Sequence, residues 1–120
     1  MTNYKDLVVW QKAIQLVTDI YKLTKTFPKE EAYGLASQMQ RASISIPSNI
    51  AEGHDSGSDS KFIYYLNVSR GSCSEVNSML YLCEDFKLCN SEKRMELQNE
   101  VRKISAGCLK MINTLKASRP

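Results

Sequence analysis

The stretch EGHDSGSD, residues 52–59, gathers Glu52, His54, Asp55 and Asp59 within eight positions. Carboxylates and an imidazole are metal ligands. Ligands on a helix must lie three or four residues apart to face the same ion. On a firm helix only Glu52 and Asp55 do so, with Gly53 between them. His54 is the one histidine of the chain, so the paired Glu-x-x-His ligands of a di-iron bundle cannot be assembled. The segment reads instead as a solvated turn. The thiols follow the spacing C-x9-C-x5-C-x18-C, at Cys73, Cys83, Cys89 and Cys108. Zinc knuckles and redox motifs need closely paired thiolates. These cysteines read as free thiols acting as small core residues. Neither a phosphate-binding G-x-x-x-x-G-K-[ST] nor a G-x-S-x-G nucleophile elbow occurs. No catalytic residue, metal or cofactor is therefore expected, and the chain reads as a non-enzyme.

Charge suggests a different chemistry. The formal net charge is +3, but it is unevenly spread. Residues 101–120 hold Arg102, Lys103, Lys110, Lys116 and Arg119 with no acid. Residues 1–29 hold five lysines against Asp6 and Asp19, and residues 30–60 carry a net −4. Basic ends hint at a polyanionic partner, RNA or DNA, held through its phosphates. The candidate contacts are Lys5, Lys12, Lys22 and Lys25 near the start of the chain, and Arg102, Lys103, Lys110 and Lys116 near its end. A second polar set, Gln38, Arg41, Ser45, Asn49, Glu52, Ser72 and Glu75, lies beside apolar stripes. It reads either as a hydrogen-bonded network fixing bundle register and subunit contacts, or as a polyanion or peptide site around Arg41. The network is the favoured reading.

Four helices must position these residues. The chain has 120 residues, 42% apolar and 24% charged, which suits one folded domain. Residues 6–27 carry two helical stripes. One runs Leu7, Trp10, Ile14, Val17 and Tyr21; the other runs Val9, Ala13, Leu16, Ile20, Leu23 and Phe27. A helix in an isolated bundle usually needs one stripe. Two stripes imply two neighbours, one of them another subunit. Pro28 should stop this helix. In RASISIPSNIAEG, residues 41–53, serine and isoleucine alternate as in a strand. Tyr33, Ala36, Met39, Ser43, Ile46 and Ile50 nevertheless keep helical spacing through it. A second helix over 30–53 follows, kinked at Pro47, with Ser43 or Ser45 bracing the freed backbone and Gly53 as a C-terminal cap. Residues 59–87 and 92–116 supply the third and fourth helices. Small residues around Gly71 suggest a close backbone approach in the third.

The segments DLVVWQKA (6–13), YGLASQMQRASISIPSNIAEG (33–53) and RGSCSEV (70–76) resemble the four helix bundle protein family. Its members were first noted as products of intervening sequences in bacterial large-subunit ribosomal RNA genes, and are often labelled S23 ribosomal proteins. The resemblance covers nearly the whole chain. It implies an all-α, antiparallel up-down-up-down four-helix bundle that assembles as a ring-shaped homopentamer. A similar branch comprises accessory proteins of diversity-generating retroelements, which bind nucleic acid and a protein partner. Matching positions here include Trp10, Gln11, Tyr33, Gln38, Arg41, Pro47, Asn49, Glu52, Gly71, Ser72 and Glu75. Of these, Trp10, Gln11, Tyr33, Gln38, Asn49, Glu52 and Glu75 are expected at a subunit interface or in the polar network. The chain has Gln40-Arg41 where the family often has two arginines, and His54-Asp55 where it often has Gly-Arg. Both departures remove positive charge. A cytoplasmic homo-oligomer is expected, with no membrane segment. Its ligand would be structured RNA or, in the alternative, a protein partner held on a scaffold.

Overall fold

The apolar spacing becomes helix along almost the whole chain. The computed structural model describes residues 3–31 and 33–118. It contains α1 (Val8–Thr24), α2 (Leu35–His54), α3 (Asp59–Asp85) and α4 (Ser91–Ala117), with short 3-10 turns at Tyr4–Asp6 and Lys29–Glu31. Arg119 lies outside the described residues. α1 packs on α2, α2 on α3, α3 on α4, and α4 back on α1, so the four helices close a square. The assembly is a rod of 52 × 21 × 20 Å. It is an antiparallel four-helix bundle. Along α1 and α4, Val9 meets Gly107 while Asp19 meets Glu100, so the two helices run in opposite directions.

Helix ends follow local capping chemistry. Asn3 opens the first 3-10 turn, accepting from the Lys5 N–H at 3.0 Å. Ser58 and Asn90 cap α3 and α4 by accepting from the N–H groups of Lys61 and Lys93. The end of α3 closes with Lys87 at φ 62°. There the Leu88 N–H reaches Cys83 O, and the Lys87 N–H reaches Glu84 O, each at 2.9 Å. This is the paired closure of a Schellman motif. The second helix begins at Leu35 rather than at residue 30, because Gly34 adopts φ −106°, ψ −111°, outside the helical basin.

The two stripes of α1 separate as their spacing implies. Val9, Ala13, Leu16 and Ile20 are buried in the common core with Met39, Ile46, Leu66 and Ile104. Ile14 and Tyr21 stay about 40% exposed, at 40% and 38%. Cys73, Cys83 and Cys108 are buried and Cys89 half-buried, all as free thiols. Burial pushes the Cys73 thiol up to about 12.

RASISIPSNIAEG is helical throughout, and α2 continues past Pro47 to His54. The serines brace the turn before the proline. Ser43 Oγ donates to Gln40 O and Ser45 Oγ to Ala42 O, each at 2.9 Å. They do not reach the Ser43 carbonyl, whose helical donor Pro47 removes. Across the α2–α3 interface, the buried Ser69 hydroxyl donates to Ile46 O at 2.9 Å, and Ser45 and Ser72 share a short hydroxyl contact. Such buried bonds contribute ~1 kcal/mol each and fix register.

Two glycines exchange the roles that the sequence suggested. Gly53 is no cap. It is buried in the last turn of α2, where a Cβ would lie 2.8 Å from Tyr65 Cβ and 2.9 Å from Phe62 Cδ1. Its missing side chain lets α2 close onto α3. Gly71, expected at a close approach, is exposed, and a Cβ there would meet nothing within 4 Å. Gly53→Ala is expected to destabilise the bundle by ~1–2 kcal/mol, overpacking outweighing the better helix propensity of alanine. Gly71→Ala is expected to stabilise an isolated bundle by up to ~1 kcal/mol. Urea unfolding of both variants checks this, and a loss at Gly71 would place another chain against it.

At the α1–α4 seam, burial and the neighbouring Asp19 carboxyl push the Glu100 carboxyl up to about 7. Glu96 raises it further, and Lys93 opposes the shift. A carboxyl whose folded pKa exceeds its unfolded value holds its proton more tightly when folded. Stability therefore falls as pH rises from about 4.5 to about 7. Glu100→Gln removes the ionisation. Its melting temperature is expected to exceed that of the natural chain at pH 8 and to match it near pH 4. Equal melting temperatures at both pH values would contradict the assignment.

Candidate functional site

All nine candidate basic contacts are exposed: Lys5, Lys12, Lys22, Lys25, Arg41, Arg102, Lys103, Lys110 and Lys116. None makes an ion pair among the described residues, whose ion pairs are His54–Asp55, Lys93–Glu96 and Arg94–Glu84. They do not form one continuous surface. Lys22 shares a hollow of ≈ 210 Å³ with Asp19, Lys93 and Glu96. Those carboxylates, with Glu100, stand between Lys22 and Lys25 at one end of the bundle and the cationic stretch of α4 further along. Lys5 lies in the first 3-10 turn, where its carbonyl accepts from Gln11 Nε2 at 2.8 Å.

The organising feature is the pairing of α3 with α4. Arg94 Nε donates to Glu84, Gln98 Nε2 donates to Asn77 O at 3.1 Å, and Cys108 stands against Cys73. This antiparallel register lays residues 60–74 of α3 beside residues 101–117 of α4. The first segment holds Lys61 and Arg70 and the second holds Arg102, Lys103, Lys110 and Lys116, with no acid in either, a charge of +6. α3 also carries Asp59 as its first residue, and the remaining stretches, 75–85 and 91–100, hold Glu75, Glu84, Asp85, Glu92, Glu96 and Glu100 against Lys93 and Arg94, a charge of −4. The α3–α4 pair is thus cationic at one end and anionic at the other, with Lys61 half a turn round α3 from Arg70, on the side toward α2. A hollow of ≈ 480 Å³ lies on the cationic half, along Ala106, Leu109, Lys110, Asn113, Thr114 and Ala117. Arg70 was not legible as a site residue by itself. Its signal is the absence of acids across two segments that only the register brings together.

The polar set of α2 and α3 divides: Ser72 is buried and meets Ser45 across the α2–α3 interface, Asn49 is half-buried, and Gln38, Arg41, Glu52 and Glu75 are exposed. Gln38, Arg41, Ser45 and Glu75 line an open hollow of ≈ 410 Å³. Arg41 and Glu75 face it without pairing. Asn49 Nδ2 donates to Ser45 O at 2.7 Å. Glu52 stands beside Tyr65, and its charge raises the phenol pKa. Tyr33 is 98% exposed and takes no part in a network. Trp10 is half-buried, edge-on to Tyr4 at 5.4 Å, and lines an apolar groove with Ile14, Val17, Ile44 and Pro47.

His54 is not in a solvated turn. It is the last residue of α2, with only 12% of its side chain exposed. Its Nδ1 lies 2.8 Å from Asp55 Oδ1, and its ring stands edge-on to Phe62 at 5.9 Å. Among the described residues no group of three or more histidine, cysteine or carboxylate side chains is arranged to hold a metal ion. No helix among them is long and apolar enough to cross a membrane.

Comparison with known proteins agrees with this architecture. A protein of unknown function from the S23 ribosomal protein family of Bacteroides thetaiotaomicron VPI-5482 superposes with a TM-score of 0.83 at 25% sequence identity, over 91% of this chain and 98% of that one. No curated protein matches the chain. Residues 5–113 match the family model described as 23S rRNA-intervening sequence protein. Nearly the whole bundle is covered by that match, and the chain belongs to the 23S rRNA-intervening sequence protein family.

Proposed function

We propose that this protein is a non-enzymatic nucleic-acid-binding bundle that works as a homo-oligomer, a ring of five chains. The observation that carries the reading is the cationic half of the α3–α4 face. Six basic side chains, Lys61, Arg70, Arg102, Lys103, Lys110 and Lys116, share two adjacent helical segments without a single acid. Self-repulsion of this kind opposes folding, so a fold that retains it has use for a counter-charge. Phosphates of structured RNA supply one. The apolar groove of α1 and α2 supports self-association, because Trp10, Ile14 and Ile44 are large apolar side chains left partly in water. Five chains at +3 each would carry +15, and a ring would multiply weak phosphate contacts through effective concentration.

A scaffold reading rests on a different surface. Tyr81, Leu82, Phe86 and Met95 are 44–60% exposed at the anionic end of α3 and α4, where a protein partner could dock. The two readings are separated by titration with hairpin RNA.

Binding to hairpin RNA, followed by fluorescence anisotropy, is expected to tolerate sequence changes and to depend steeply on salt. If ~6–10 phosphates are engaged, affinity falls ~10³–10⁵-fold between about 50 and about 200 mM salt. The double variant Arg102→Ala, Lys103→Ala is expected to weaken binding and flatten that slope with an unchanged melting temperature. No binding at low salt would remove the nucleic-acid reading in favour of the scaffold. For assembly, light scattering at micromolar concentration is expected to give five times the mass of one chain. Ile14→Asp, which puts a charge into the apolar groove, is expected to reduce it to one. A monomeric natural chain would contradict the ring.

A further inference from the structure

Two arginines lie along the seam between α3 and α4, in opposite circumstances. Arg94 is saturated. Its Nε donates to Glu84, its Nη1 to Gln98 Oε1 at 2.8 Å, and its guanidinium sits 4.8 Å from the centroid of the Tyr81 ring. Arg70 is half-buried, and its Nε is fully buried without an acceptor. The titratable groups it influences are the thiols of Cys73 and Cys108. Burial pushes these up to about 12 and about 11, so both stay neutral and neither can act as its counter-ion. No carboxylate is present in residues 60–74 or 101–117. A buried guanidinium donor left without an acceptor is unfavourable, and native folds rarely keep one unless water, an ion or a ligand completes it.

The flank of α4 that faces this position is cationic. Gln98 bonds to α3, which marks the side of α4 turned toward it. Arg102, Leu109 and Lys116 follow at four- and seven-residue spacing, on the same side. The proximity of Cys73 to Cys108 sets the level. Arg70 therefore stands between Arg102 and Lys116 along the seam, beside Leu109. A guanidinium fork matches the geometry of phosphate oxygens, and the flanking cations add to the attraction. We propose that Arg70 anchors a phosphate-binding subsite in the α3–α4 seam, bracketed by Arg102 and Lys116, that takes a phosphodiester of bound nucleic acid. The choice of a phosphodiester rests on the nucleic-acid reading above; the phosphate chemistry does not. Arg70 would then fix position, while the exposed lysines of α4 supply the long-range field.

The arginine Nε–H gives its own signal in a proton–nitrogen NMR spectrum, and Arg94 serves as an internal control. The probes are hairpin RNA and inorganic pyrophosphate, each added to the full chain. RNA is expected to shift the Arg70 Nε–H signal and to leave that of Arg94 in place. Arg70→Gln is expected to weaken RNA binding about 10- to 100-fold and to lower the salt slope by about 1. Arg70→Lys keeps the charge without the Nε–H donor, and is also expected to bind more weakly than the natural chain. If RNA binds while the Arg70 signal and the Arg70→Gln affinity stay unchanged, the subsite is overturned and the broader nucleic-acid reading stands. If RNA does not bind but pyrophosphate moves the Arg70 signal, the phosphate subsite is supported and the nucleic-acid reading falls. If neither probe moves the signal, the subsite is overturned. Thermal melting reports whether the variants fold, and the spectra of the natural chain decide the matter if they do not.

Discussion

The antiparallel register of α3 against α4 sets the distribution of charge over the whole bundle. It is fixed by a few contacts of different kinds: the Arg94–Glu84 pair, the Gln98–Asn77 bond and the meeting of Cys73 with Cys108. A slide of two turns would bring the carboxylates of one helix level with the cations of the other and neutralise both. In the register observed, the cation-rich half of each helix lies beside the cation-rich half of its neighbour. The cost is mutual repulsion among cations. It is bearable because most of these side chains are exposed and screened by solvent. Arg70, half-buried, is the exception, and the repulsion there is not screened away.

The adjacent seam, between α2 and α3, works by shape rather than charge. Gly53 allows the helices to close, Ser69 ties them through the Ile46 carbonyl, and Ser45 and Ser72 meet hydroxyl to hydroxyl. Pro47 removes the helical donor to the Ser43 carbonyl and so weakens the backbone ladder of α2, while one residue before the proline the Ile46 carbonyl accepts from Ser69 of α3. The tightly packed seam holds the frame. α1 carries an apolar groove on its outer side and an acidic pair against α4, and on the proposed assembly it is the element that meets another chain. The frame, the charged face and the apolar face occupy different sides of one small rod. The core stripe buries one side of each helix and leaves the others free to diverge.

Much of this was legible in the sequence, and the failures have physical causes. Helical spacing located all four helices, including the stretch that alternates like a strand. The double stripe of α1 separated into a set centred on the core and a second set in which Leu7, Trp10 and Val17 are half-buried and only Ile14 and Tyr21 are exposed. Gly53 was misread because glycine near a helix end usually caps it, whereas its actual constraint comes from Phe62 and Tyr65 on another helix. Gly71 was misread in the opposite sense: small neighbours suggest close packing, but nothing in the bundle approaches it. His54 was taken for part of a solvated turn, but the edge of Phe62 and the carboxylate of Asp55 hold it at the end of α2. Of the polar residues read beside the apolar stripes, Ser45, Asn49 and Ser72 bond to one another along the α2–α3 seam, while Gln38, Arg41, Glu52 and Glu75 are exposed. The basic stretch of α4 could be counted from the chain. Arg70 could not, because its environment depends on a helix some thirty residues away.

The central claim is that nucleic acid occupies the cationic half of the α3–α4 face. Lysine acetylation, read by mass spectrometry with and without hairpin RNA, tests it most directly, because every lysine reports separately. The account predicts strong protection of Lys103, Lys110 and Lys116. It predicts none at Lys29, Lys87 and Lys93, which lie at the anionic end or beside it. Equal protection along the whole rod, or protection centred on Lys87 and Lys93, would contradict it.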